Sequence, residues 1–175
     1  SASANPICNG SSSTLTASGG GSYVWNTTAT TASITVNPTL TTVYTVTVTN
    51  AAGCTATSTI SITVNSIPSV GTTVTNATIC AGSSTTITGT GATSYTWQPG
   101  ALSGTSITVS PAATTTYTVT GTSSGCSSTA TRIITVNALP NVGTTVTNAT
   151  ICAGTSTTIT GTNASTYTWQ PGALS

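Results

Sequence analysis

The chain has 175 residues and a net charge of +1, with one Arg (Arg132), no Lys, Asp, Glu, His, Phe or Met, and 74 hydroxyl residues, 49 Thr and 25 Ser. That leaves no general acid or base near neutral pH, no base to activate a Ser or Thr nucleophile and no carboxylate for a calcium or magnesium site. One Arg cannot neutralise a run of phosphates, so nucleic-acid binding is excluded as well.

Apolar runs of three or four residues fall far short of the roughly 20 that a spanning helix needs. No basic region followed by an apolar stretch reads as a signal peptide. Thr, Val and Ile dominate, which suits pleated, half-buried strands, and strong helix formers other than Ala are nearly absent. The expected fold is all-β.

The chain repeats itself with a period of 72 residues. Cys8, Cys80 and Cys152 keep that spacing, as do Cys54 and Cys126, and Trp25, Trp97 and Trp169. Residues 1–66 read as a copy lacking its first few residues, 67–139 as a complete copy, and 140–175 as the first half of a third. Pro68 to Ser103 and Pro140 to Ser175 agree at 31 of 36 positions. A half copy cannot close a core. The chain therefore reads as a window on a longer array, or else as a subunit whose half copy is completed by strands of another chain.

In the complete copy, the first strand is expected over Thr72 to Ile79, the second over Ser84 to Thr90 and the third over Ser94 to Gln98, stopped by Pro99-Gly100. The fourth spans Ser106 to Val109, stopped by Pro111, and the fifth Thr115 to Thr122, before a Ser123-Ser124-Gly125 turn. The last runs from Ser127 to Asn137. Ile107 and Val109, then Tyr117 and Val119, alternate with hydroxyl residues, the period of a strand with one buried face. Six or seven short strands in about 72 residues predict an antiparallel β-sandwich of immunoglobulin-like type.

The joins, Val64-Asn65-Ser66-Ile67-Pro68 and Val136-Asn137-Ala138-Leu139-Pro140, hold no Gly/Ser tract. Proline restricts the backbone, and a flexible linker would be polar. Ile67, Pro68, Leu139 and Pro140 are therefore expected to pack between domains, giving a semi-rigid rod that grows on the order of 30–40 Å per repeat.

Cys8 to Cys54 and Cys80 to Cys126 have equal spans of 46 residues. They are expected to pair within each copy, and Cys152 with a partner 46 residues on, beyond this sequence. Such staples suit small domains and imply an oxidising compartment. A zinc site lacks ligands at short spacing, and a catalytic Cys lacks a His. No cofactor is expected.

The ordered motifs Ile79-Cys80-Ala81-Gly82, Tyr95-Thr96-Trp97-Gln98-Pro99-Gly100, Pro111 before Thr114-Thr115-Thr116-Tyr117-Thr118-Val119-Thr120, and Gly125-Cys126 cover essentially the whole repeat. This run resembles the Ig-like/PKD-like repeats of giant cell-surface adhesins of Bacteroidota, most closely those of SprB type. The resemblance implies an extracellular stalk, export by type IX secretion, and a role in attachment or gliding motility.

Tyr23-x-Trp25, Tyr95-x-Trp97 and Tyr167-x-Trp169 each place two rings on one strand face. Trp25, Trp97 and Trp169, with Tyr44 and Tyr117, are expected in the core. An exposed Trp97 would instead indicate a platform for sugar rings, hence a weak carbohydrate-binding module. Arg132 aligns with Ile60 of the first copy, so its stem is expected to cover apolar surface while the guanidinium reaches water or carbonyl oxygens. The alternative is a contact to a neighbouring domain or chain. Five N-x-S/T sequons, at Asn9, Asn26, Asn76, Asn148 and Asn163, matter only in a host that glycosylates Asn. The expected partners are neighbouring repeats, with other filament chains or surface glycans as alternatives, and no membrane insertion in this segment.

Overall fold

The computed structural model describes residues 1–170; the last five residues of the third copy lie outside the described residues. All regular structure in it is β. The first copy holds β1 (Ile7–Cys8), β2 (Ser13–Thr16), β3 (Ser22–Trp25), β4 (Ser33–Val36), β5 (Thr42–Thr49), β6 (Thr55–Ile62) and β7 (Val64–Asn65). The complete copy holds β8 (Gly71–Val74), β9 (Thr78–Cys80), β10 (Thr85–Thr90), β11 (Ser94–Gln98), β12 (Leu102–Ser103), β13 (Ser106–Val109), β14 (Thr115–Ser123) and β15 (Cys126–Asn137). The third copy contributes the pair β16 (Gly143–Val146) and β17 (Ile159–Thr162).

In the complete copy, one sheet has the order β13-β10-β8 and the other β12-β11-β14-β15-β9. All pairings are antiparallel except β9 beside β15. The first copy repeats the scheme with β2-β4, β3-β5-β6 and the parallel pair β1-β7, while Ala2 bridges Leu15 in place of a first strand. This is the immunoglobulin-like two-sheet arrangement, in which the facing sides of the two sheets supply the apolar core. Ile87 of one sheet and Trp97, Val119 and Ile134 of the other are fully buried together. A second cluster, Leu15, Trp25, Val36, Tyr44, Val46 and Ile62, fills the first copy.

The structure splits the strand expected over Thr72 to Ile79. β8 joins one sheet and β9 the other, and the chain crosses between them at Thr75-Asn76-Ala77. The buried Thr85 hydroxyl makes the crossing possible: it donates to the Asn76 carbonyl and accepts from the Asn76 N–H, replacing the ladder bonds lost there. Ser13, 72 residues earlier, does the same for Ala4. The short strand β12 is a further element that alternation did not reveal.

Candidate functional site

The site with the most specific construction is the junction between the first two copies. On one side, β7 holds β1 in parallel register, Ile7 against Val64 and Cys8 against Asn65. The Asn5 amide stabilises the break between β6 and β7, donating to the Ser61 carbonyl and accepting from the Thr63 N–H. Cys8 is thereby fixed at the end of the first sandwich, where the chain leaves it. On the other side, β14 and β15 are joined by Ser124-Gly125, with φ of 50° and 80°. Two successive left-handed residues form the tight hairpin turn that matches strand twist, and Gly adopts that conformation at little cost. The turn presents Cys126 back toward the first copy.

The two meet in a disulfide, Cys8–Cys126, with Cα atoms 5.7 Å apart and 118 residues between them in sequence. Asn65 Nδ2 donates to the Ser124 carbonyl at 2.7 Å, so backbone recognition of the turn accompanies the covalent bond. Cys126 is buried. On the linker, Pro68 is buried and its carbonyl accepts from the Ser128 hydroxyl of β15.

The disulfide corrects the pairing read from the sequence. Cys8–Cys54 and Cys80–Cys126 are not formed; Cys54, Cys80 and Cys152 are free and exposed. The reason lies in strand length. Cys80 is registered against Asn137, and Cys126 begins the same 12-residue strand β15. At about 3.4 Å per residue they stand on the order of 35 Å apart, whereas a disulfide needs Cα atoms within about 7 Å. Cys8, against Asn65, and Cys54, just before β6, are separated in the same way along β6 and β7. Each copy thus carries its two cysteines at opposite ends.

Two further expectations change. Ile67 is half exposed and Leu139 more so, and Pro140 is exposed; of the four linker residues only Pro68 is buried. The junction is held by the disulfide and Asn65 rather than by an apolar plug. Trp169 is exposed too, although Trp25 and Trp97, with Tyr44 and Tyr117, are buried. Among the described residues, the third copy holds β16 and β17 and no counterpart of β14 and β15 to cover Trp169.

The buried indoles are also hydrogen-bonded, Trp25 Nε1 to the Thr31 carbonyl and Trp97 Nε1 to the Gly104 carbonyl, each at 2.9 Å. Neither presents a ring face to a sugar. A groove of about 210 Å³ opens beside Trp25, walled by Ala17, Val48, Ile60 and hydroxyl residues, but the indole itself is buried. Tyr95 seats over Gly89, where an added Cβ would lie 2.6 Å from the ring. Its hydroxyl donates to the Ala92 carbonyl and accepts from the Ala92 N–H.

Arg132 is half-buried on β15 and reaches across to β8, where Nε donates to Thr72 Oγ1 and Nη2 to the Thr72 carbonyl. It ties the two sheets of its own copy. Among the described residues, no three or more His, Cys, Asp or Glu side chains gather as metal ligands, and no helix is long and apolar enough to cross a membrane. Sequence reasoning did not single out Asn65, Ser124, Thr85 or Ser13. Their recurrence in register, Asn65 with Asn137 and Ser13 with Thr85, was the available signal.

No protein-family model matches the sequence, and no curated protein matches it. Among solved structures, the chain is similar to murine CEACAM1b (14% identity, covering 79% of this chain and 98% of that one, TM-score 0.42). It is also similar to the amphioxus IgVJ-C2 molecule (12%, 73% and 98%, TM-score 0.37) and to the titin domains Z1Z2 crystallised with telethonin (19%, 77% and 93%, TM-score 0.32).

Proposed function

We propose that the chain is a stretch of structural stalk: Ig-like repeats, 1–66, 67–139 and the opening half 140–175, of a long extracellular cell-surface adhesin filament that serves attachment or gliding. The observation that carries this reading is the Cys8–Cys126 bond. It joins successive copies across a junction rather than stapling one core. A covalent tie between domains has its use where the spacing of domains must survive load. The bond also favours an oxidising, extracellular setting. A composition with one charged side chain leaves the solvated faces to hydroxyls and offers trypsin-like proteases one site, which suits long exposure outside a cell.

The alternative is a short subunit that polymerises, its open half copy completed by a neighbour. The exposed apolar residues Ile151, Ile159 and Trp169 of that half favour it. One measurement separates the two: the mass of the native polypeptide after boiling in detergent with reductant. Hundreds of kilodaltons support the stalk. A chain near 17 kDa overturns it in favour of the polymerising subunit.

A further inference from the structure

We infer that Cys80, with Asn137 beside it, is a second docking socket. It receives the hairpin cysteine of the repeat that follows, so that every junction of the array carries the same staple. The inference rests on the stalk reading above and adds the connectivity.

The geometry of the socket is already built. Cys80 is paired in parallel register with Asn137, as Cys8 is with Asn65. The Ala81 N–H donates to the Asn137 carbonyl as the Asn9 N–H donates to the Asn65 carbonyl, both at 2.9 Å. Cys80 and Cys8 are 72 residues apart in the repeat, and so are Asn137 and Asn65. The first socket is occupied by Ser124-Gly125-Cys126. The second is exposed, and its thiol is free.

The complementary plug recurs as well. Cys54 is the equivalent of Cys126, and it ends the turn between β5 and β6. That turn is held by Asn50, whose Oδ1 accepts from the N–H groups of Ala52 and Cys54. Cys54 is also free and exposed. A copy therefore has a plug at one end and a socket at the other, and a cysteine's partner is always in the adjacent copy. In the first junction the partners are 118 residues apart. The same interval from Cys80 sets the position of its partner, in the repeat after 67–139.

The chemistry is a two-electron oxidation. Two thiols lose two protons and two electrons as the S–S bond forms. A disulfide donor outside the cell, a thiol–disulfide exchange protein or a small-molecule disulfide, takes them up and is released as two thiols.

The test uses the protein from its natural source, isolated with a thiol-alkylating agent present. It is digested with pepsin in acid without reductant, so that disulfides do not exchange, and the linked peptides are sequenced by mass spectrometry. The expected result is Cys8 linked to Cys126, and Cys80 linked to a cysteine 118 residues further along, in a Gly-Cys hairpin peptide. Recovery of Cys80 as an alkylated thiol, joined to Cys126, or joined to Cys54 of a second copy overturns the inference. The stalk reading fails separately, on the reduced mass of the chain.

Discussion

Residues 68–103 and 140–175 are nearly the same sequence placed in two surroundings, and the structure treats them differently. Ile79, Ile87, Tyr95 and Trp97 are 7%, 0%, 6% and 0% exposed, whereas their counterparts Ile151, Ile159, Tyr167 and Trp169 are 47%, 53%, 36% and 53% exposed. Part of the local geometry is nonetheless retained, although the counterparts of β9 and β11 are not strands. β16 and β17 pair in the register of β8 and β10, Val146 against Ile159 as Val74 against Ile87. The Asn148 N–H donates to the Thr157 hydroxyl as Asn76 does to Thr85. The Ala164 N–H reaches the Tyr167 hydroxyl as Ala92 reaches Tyr95. Short-range hydrogen bonding is thus written into the half repeat. Burial comes from β14 and β15, which the third copy lacks within the described residues, so the same substitution should have different consequences in the two places.

The largest contrast is expected at the cysteines. In the 175-residue chain, Cys126→Ser removes a bond that closes 118 residues. In the loop-entropy model that costs about 5 kcal/mol. Cys152→Ser and Cys80→Ser should leave the urea midpoint where it was. Equal losses from Cys80→Ser and Cys126→Ser would restore the within-copy pairing. Pulling the chain by its ends reads the same bond mechanically. While oxidised, residues between Cys8 and Cys126 release no length on unfolding; reduction should add about 400 Å of contour, at roughly 3.4 Å per residue.

Next comes the aromatic pair. Trp97→Ala empties the centre of a closed core and leaves the Gly104 carbonyl without its donor. A loss of about 3–5 kcal/mol is expected, read by denaturant unfolding of the complete copy. Trp169→Ala should change stability by less than about 0.5 kcal/mol, as at other exposed positions. A comparable loss at both positions would mean that the half repeat has a core of its own. The buried hydroxyl gives a smaller contrast. Thr85→Val keeps the shape but deprives Asn76 of both partners, at about 1–3 kcal/mol. Thr157→Val should cost only a few tenths, because water can reach the exposed Asn148 N–H.

Which of these features could be read from the sequence follows from their range. Strand positions and the all-β class depend on alternation and on Pro and Gly stops, which are local, and β10, β11 and β13 lie within a residue of where those signals put them. The crossing at Asn76 depends on one buried hydroxyl among 74 hydroxyl residues, and composition cannot mark which one faces inward. Equal spacing of cysteines in sequence does not bring them together in space, and the observed bond is Cys8–Cys126. The length of β15 argues against a Cys80–Cys126 bond, since a 12-residue strand separates its two ends by more than any disulfide can reach. Of the linker residues, Pro68 is buried as its place in the join suggests, whereas Ile67 stays half exposed; the recognition of the turn by Asn65 is a hydrogen bond, which apolarity does not signal.

The smallest effect concerns pH, and it tests whether the closed copy differs from an open one in anything that titrates. There is no Asp, Glu, His or Lys side chain, so stability should be flat from about pH 4 to about pH 9. Burial pushes the Tyr117 phenol above its ordinary value of 10.0. The unfolded chain ionises first, near pH 10. The stabilisation is therefore fully present below that pH and is lost as pH rises through the folded value. The measurement is the urea midpoint against pH, with Cys54, Cys80 and Cys152 changed to Ser so that no free thiol attacks the disulfide in alkali. A fall above about pH 10, lessened by Tyr117→Phe, is the expected outcome. A fall near pH 4 would contradict it, since no side-chain carboxylate is present to be protonated there.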